Sequence, residues 1–95
     1  MTHRIEWSVD EIREQFPALN RRMNGQPVAF LDGPAGSQVP QRVAEAVSNY
    51  LLQTNANRGG SFVTADESDR ILNYAHEVLA DFVGATDPEE ICFGA

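Results

Sequence analysis

The stretch from Phe30 to Pro40 constrains the fold of this chain more than any other. The apolar run Val28–Leu31 has the length and bulk of a buried strand, and Asp32-Gly33-Pro34 follows it, where the chain must turn. Gly33 can adopt a positive φ. Pro40 suits the first turn of a helix, where its missing N–H costs nothing. The sequence predicts a strand, a tight loop of small residues and a helix. Either the backbone amides of this loop bind an anion such as a carboxylate, or the loop is a plain connection between the strand and the helix.

Caps and apolar periodicity predict three helices. In the first, Ser8 and Glu11 form a capping box, and in the third Thr64 and Glu67 form another. Gly84 is the expected left-handed stop of the third helix. The predicted helices cover residues 8–16, about 40–54, and 64–83.

Two further strand signals are weaker. The turn pair Asn24-Gly25 suits a hairpin whose first arm covers about residues 19–23, and Ile91-Cys92-Phe93 begins a strand. Cys92, the single cysteine, is expected to be a buried and inert thiol. The strands at 28–31 and 91–93 are far apart in sequence and cannot make a satisfactory sheet alone. The chain therefore looks like a piece of a larger fold.

Charge and hydropathy exclude several classes of function. The net charge is −7, and the acids crowd the last third of the chain, which argues against a nucleic-acid partner. No apolar run approaches the roughly 20 residues of a membrane span. The N-terminus lacks the apolar core of a signal peptide, so we expect a cytoplasmic protein. His76 has no second ligand four residues on, so no metal site is predicted.

Three segments resemble, in order and in spacing, the first part of class V aminotransferases. This group of fold-type-I pyridoxal-phosphate enzymes includes cysteine desulfurases and selenocysteine lyases. The first segment looks like the turn after the family's first strand, and the third like the strand that enters the cofactor-phosphate loop. The second is similar to the desulfurase loop that reads Asn, one or two residues, and then His-Arg-Gly. The segments are Leu31–Pro40, Asn55–Gly60 and Asp87–Ala95.

The resemblance implies an α/β fold, of which this chain is an N-terminal fragment that is mostly helical by itself, with two short strands. Residues 1–36 would be the N-terminal arm of the small domain, and residues 37–95 the incomplete start of the large cofactor-binding domain. The intact parent would be a cytoplasmic homodimer that acts on an amino acid with pyridoxal 5′-phosphate. Such enzymes hold that cofactor on a lysine amine, and the chain contains no lysine. We therefore expect this chain alone to be inactive and to bind no cofactor.

The resemblance also implies site residues, none of them catalytic. Ala35 and Gly36 would lie close to the substrate, and their backbone N–H groups could bind its carboxylate. Asn57 and Arg58 would belong to a substrate-binding loop near the active-site mouth and the dimer interface. Asn57 stands where the family usually has histidine, and an asparagine cannot act as an acid or base near neutral pH. Cofactor contacts would fall to Gly94 and Ala95.

A different class of function remains open on the residues alone. The chain could be a small helical interaction module without catalysis, or a regulatory remnant of the enzyme family. A true module should unfold cooperatively as a monomer or defined oligomer. A fragment should instead expose the apolar faces of its helices.

Overall fold

A computed structural model of the chain describes residues 6–94, which are mostly helical with two short strands. The backbone divides into two compact units, residues 1–48 and residues 49–95. The α-helices and strands are α1 (Val9–Glu14), β1 (Arg22–Met23), β2 (Gln26–Pro27), α2 (Gln41–Asn49) and α3 (Val63–Val83). Single 3₁₀ turns cover Pro17–Asn20, Gly33–Ala35 and Pro88–Glu90, and a π-helical turn covers Tyr50–Thr54.

The predicted capping box of α1 is present. The Glu11 N–H donates to Ser8 Oγ at 3.1 Å, and the Ser8 N–H donates to Glu11 Oε2 at 2.9 Å. Hydrogen bonds from the backbone and then the side chain of Ser8 lower the pKa of Glu11. The helix is short because Pro17 follows it and disfavours helical geometry in the residue before.

The hairpin signal at Asn24-Gly25 is also confirmed. Both turn residues have positive φ, 52° for Asn24 and 77° for Gly25, as a two-residue hairpin turn requires. The strands β1 and β2 pair antiparallel, with Arg22 opposite Pro27 and Met23 opposite Gln26. The first arm is shorter than expected because residues 17–20 form a 3₁₀ turn.

The other two strand predictions are wrong. Val28–Leu31 and Ile91–Phe93 have no regular secondary structure, Leu31 is 93% exposed, and Cys92 is exposed rather than buried. A strand needs a neighbour to satisfy its backbone N–H and C=O groups. Within residues 6–94 the one sheet consists of β1 and β2 alone. The two short strands of this chain are therefore those of the hairpin.

The loop before α2 turns at a different glycine from the one expected. Residues Gly33–Ala35 form a 3₁₀ turn, and the positive φ belongs to Gly36, at 152°. Proline at the second position of the turn already sets the direction of the chain, so Gly33 needs no unusual dihedral angle. Helix α2 starts directly after Pro40, whose carbonyl accepts hydrogen bonds from the Val43 N–H at 3.1 Å and from the Ala44 N–H at 3.4 Å.

Helix α3 ends as predicted but begins differently. Gly84 closes it in the left-handed conformation, with φ of 75°. The predicted box of Thr64 and Glu67 is wrong, because the N-cap is Phe62, two residues earlier, and it makes no side-chain cap hydrogen bond. Asn55–Phe62 reaches the helix as an irregular loop that packs back onto its first turns.

Few side chains are buried. Among the described residues the buried positions are Ala65, Ser68 and Ala80, all on α3. The apolar stripes predicted for α2 and α3 form on helices but stay open to solvent, as Val47 (56% exposed) and Phe82 (84% exposed) illustrate. No helix in the described part of the chain is long and apolar enough to cross a bilayer.

Candidate functional site

In the second unit, residues 49–95, a buried serine hydroxyl on α3 binds the loop that carries Arg58. Ser68 is fully buried, and its Oγ donates to the Ala56 carbonyl oxygen at 3.1 Å. The Tyr50 hydroxyl lies 2.6 Å from the same Oγ. A serine hydroxyl has one proton to donate. Ser68 donates it to the Ala56 carbonyl, so Tyr50 is the donor in the second hydrogen bond. This chain of two hydrogen bonds ties the π-helical turn, the loop and α3 together.

The next residue of α3 holds the other side of the loop. Asp69 Oδ2 accepts from the Gly59 N–H at 3.3 Å, and Asp69 Oδ1 lies 3.5 Å from Arg58 Nε. The second contact is an ion pair that is too long for a good hydrogen bond. One turn further along the helix, Asn73 Oδ1 accepts from Arg58 Nη2 at 3.1 Å. The Arg58 side chain is thus held at two points while 59% of it stays exposed.

Two glycines allow the loop to approach the helix this closely. Gly59 has φ of 78°, a conformation that other residues rarely adopt. A Cβ on Gly60 would lie 2.8 Å from the Cβ of Ala65 and 2.7 Å from Phe62 Cε1. A side chain at Gly60 would push the loop away from α3, whereas one at Gly59 would meet no atom but would strain the backbone.

An open cleft of about 460 Å³ lies beside Arg58 in the same unit. It carries one guanidinium, one imidazole and two carboxylates, which suits a small ligand with both charges. The half-buried ring of His76 at its wall packs edge-on against Phe93, with 4.6 Å between the ring centroids. The cleft is lined by Arg58, Asn73, His76, Glu77, Pro88, Glu89 and Ile91.

Ala35 and Gly36 belong to the first unit, residues 1–48, and both are exposed. Their backbone N–H groups already have partners within the 3₁₀ turn. The Ala35 N–H donates to the Asp32 carbonyl at 3.2 Å, and the Gly36 N–H donates to the Gly33 carbonyl at 3.1 Å. In this conformation both amides are therefore engaged within the turn.

The remaining predicted site residues lie at the end of the chain. Gly94 is exposed and has no regular secondary structure, and Ala95 lies outside the described residues. Asn57, next to Arg58, is exposed. Across residues 6–94 no group of three or more His, Cys, Asp or Glu side chains could hold a metal ion.

Sequence reasoning found Arg58 but missed the residues that hold it. Ser68, Asp69 and Asn73 look like ordinary polar positions of an amphipathic helix. The available signal is their spacing, because residues four apart such as Asp69 and Asn73 lie on one helix face and can bind one guanidinium together. Nothing local to α3 shows which loop would meet that face.

Nearly the whole chain is similar in sequence to known proteins. Residues 29–94 match the family model described as aminotransferase class-V. A probable cysteine desulfurase of Vibrio cholerae is 42% identical over 86 residues, which cover 88% of this chain and 21% of that protein. A cysteine desulfurase of Cronobacter sakazakii is 37% identical over 91 residues, covering 94% of this chain and 22% of the relative. The chain thus spans about a fifth of the length of the curated relatives it matches.

Proposed function

Because this chain belongs to the class V aminotransferase family, we propose that it is part of a pyridoxal-phosphate-dependent enzyme of the cysteine desulfurase type. Its substrate would be an amino acid, and cysteine is the first choice because the relatives named above are cysteine desulfurases. A selenocysteine lyase is the neighbouring possibility within the same family. The α/β fold, the homodimer, the cytoplasmic location and the domain division at residue 36 belong to the same proposal.

The cofactor does not fit the residues of this chain by themselves. Pyridoxal phosphate supplies an electron sink for the reacting amino acid, and enzymes hold it on a lysine amine. None of the 95 residues is a lysine, and Gly94 is an exposed residue without regular structure. We therefore assign no covalent attachment and no chemical step to this chain. Gly94 and Ala95 are proposed only as neighbours of the phosphate.

The part that this chain plays is to bind the substrate. The observation that carries this role is the Arg58 guanidinium, which Asp69 and Asn73 hold at the surface of a cleft. An arginine side chain has five N–H donors in a planar fork, and the two contacts engage Nε and Nη2. The two N–H bonds of Nη1 and the second N–H bond of Nη2 are therefore left to bind the carboxylate of an amino acid.

The other proposed contacts support that role in simpler ways. Asn57 precedes Arg58 and can offer an amide donor and acceptor to the same ligand, but it cannot transfer a proton. Ala35 and Gly36 would let a substrate approach the backbone closely, since neither has a side chain beyond Cβ. The cleft carboxylates of Glu77 and Glu89 would favour the ammonium group of an amino acid over a simple anion.

The exposed apolar faces favour this proposal over an independent helical interaction module. A module that folds alone should cover the stripes of its helices, whereas Val47, Leu51 and Val78 are 56%, 59% and 44% exposed. In an α/β enzyme such faces pack on a sheet or on other helices.

The test uses the longest product of the reading frame that encodes this chain. Incubated with cysteine, pyridoxal phosphate and an excess of a small thiol, it should form alanine, and the sulfur atom removed from cysteine should pass to the thiol as a persulfide. Arg58→Ala should raise the KM for cysteine about 10-fold or more, because a charge-assisted hydrogen bond is lost. Arg58→Lys should recover only part of the loss, because an ammonium group does not bind a carboxylate as a fork.

Arg70→Ala is the matched control, since Arg70 is an exposed arginine of the same unit. It should leave the KM unchanged. The proposal fails if no amino acid is converted in the presence of the cofactor, or if Arg58→Ala and Arg70→Ala behave alike.

A further inference from the structure

Ser68 and Asp69 are consecutive residues of α3, and they bind the loop on opposite sides of Arg58. Ser68 Oγ donates to the carbonyl of Ala56, two residues before the arginine. Asp69 Oδ2 accepts from the N–H of Gly59, the residue directly after it. The backbone of residues 57–58 is therefore held at both ends by one turn of a helix.

The second carboxylate oxygen of Asp69 lies beside the Arg58 side chain. Asp69 Oδ1 is buried and receives no hydrogen bond among residues 6–94, although Arg58 Nε lies 3.5 Å away. A carboxylate oxygen removed from water without a hydrogen bond is costly, and a nearby guanidinium offsets part of that cost. The Oδ1 atom of Asp69 therefore interacts with Arg58 alone, since Oδ2 already accepts the hydrogen bond from the Gly59 N–H.

We infer that Asp69 is a positioning residue that sets the direction of the Arg58 guanidinium. One carboxylate fixes both the backbone at Gly59 and the side chain at Arg58 Nε, and Asn73 then fixes the plane of the guanidinium through Nη2. The consequence for catalysis rests on the proposed function. A guanidinium that is ordered before the substrate arrives loses less conformational entropy on binding, so Asp69 lowers the KM for the amino acid.

The direct test follows the Arg58 Nε–H signal in the NMR spectrum of the longest product of the reading frame, labelled at arginine. Asp69→Asn retains an oxygen for the Gly59 N–H but removes the charge beside Arg58. We expect the Nε–H signal to shift and its hydrogen exchange to become about 1.5- to 5-fold faster, the range for an ion pair whose arginine is exposed. The Gly59 amide should keep its protection, and Asp69→Glu should restore part of the Nε–H protection.

The matched control is Asp66→Asn, which removes an exposed carboxylate from the same helix. It should leave the Arg58 signal in place. The inference is overturned if Asp69→Asn leaves the Nε–H signal and its exchange unchanged, or if Asp66→Asn changes them equally.

A second measurement separates this inference from the proposed function. In the longest product of the reading frame, Asp69→Asn should raise the KM for the amino acid several-fold with little change in kcat. If the NMR coupling is present but neither Asp69→Asn nor Arg58→Ala changes the KM, the positioning of Arg58 stands and its role in substrate binding is refuted. If the coupling is absent, the positioning role fails whatever the KM.

Discussion

Replacing Ser68 by alanine should loosen the loop that carries Arg58. Ser68 is fully buried, and its hydroxyl makes two hydrogen bonds, to the Ala56 carbonyl at 3.1 Å and with the Tyr50 hydroxyl at 2.6 Å. The substitution removes one oxygen atom and leaves almost no cavity. Its effect therefore reports the two hydrogen bonds and the partners that lose them.

The expected loss of stability follows from the number of hydrogen bonds that are removed. A protein hydrogen bond contributes about 0.5–1.5 kcal/mol net, so two of them contribute about 1–3 kcal/mol. That range corresponds to about 5- to 150-fold faster exchange of the amides that open with this segment. Tyr50→Phe removes one of the two bonds and should accelerate the same amides about 2- to 13-fold.

The assay is hydrogen–deuterium exchange of the backbone amides of α3 and of the loop before it. Ser61→Ala is the control, because Ser61 is an exposed residue of the same loop. The double variant Ser68→Ala/Tyr50→Phe should destabilise the segment by less than the sum of the two single variants, since both single variants remove the Tyr50–Ser68 hydrogen bond. An effect of Ser68→Ala below about 2-fold, or a strictly additive double variant, would falsify the hydrogen-bond chain.

Two further predictions concern the loop glycine and the first helix. Gly60→Ala should destabilise the contact of the loop with α3 by about 1–3 kcal/mol, because its Cβ would overlap the Cβ of Ala65. Exchange of the first-turn amides of α3 measures this, and Gly33→Ala, with no atom within 4 Å of the new Cβ, should have little effect. The capping box of α1 should weaken in acid: the pKa of Glu11 is lowered in the folded state, so its contribution is present above the unfolded pKa and disappears as the pH falls through the folded value. The Ser8 amide shift should follow that titration in the NMR spectrum, and a titration that persists in Glu11→Gln would contradict it.

Local signals determined much of the chain from the sequence alone. The capping box of Ser8 and Glu11, the turn at Asn24-Gly25 and the helix stop at Gly84 all appear where they were predicted. Each depends on residues within a few positions of one another, whose hydrogen bonds and φ angles are set by the backbone itself. The family membership could also be predicted, because it rests on ordered motifs rather than on contacts.

Strands could not be predicted in the same way. Val28–Leu31 and Ile91–Phe93 have strand composition but no regular structure, because a strand depends on a partner that composition does not supply. The same reason explains Cys92, whose exposure follows from the missing sheet.

The candidate site likewise has one part that the sequence predicts and another that only the structure shows. Arg58, between Asn57 and two glycines, is visible in the sequence as a charged side chain on a flexible loop. Only the tertiary structure shows that Ser68 and Asp69 meet that loop from both sides and that Asn73 completes the contact with the guanidinium. These contacts join residues 10 to 15 positions apart, and their formation depends on how the loop packs against α3. The sequence alone therefore determined which residue could bind a carboxylate, whereas the packing of the loop on the helix decided where its guanidinium is held.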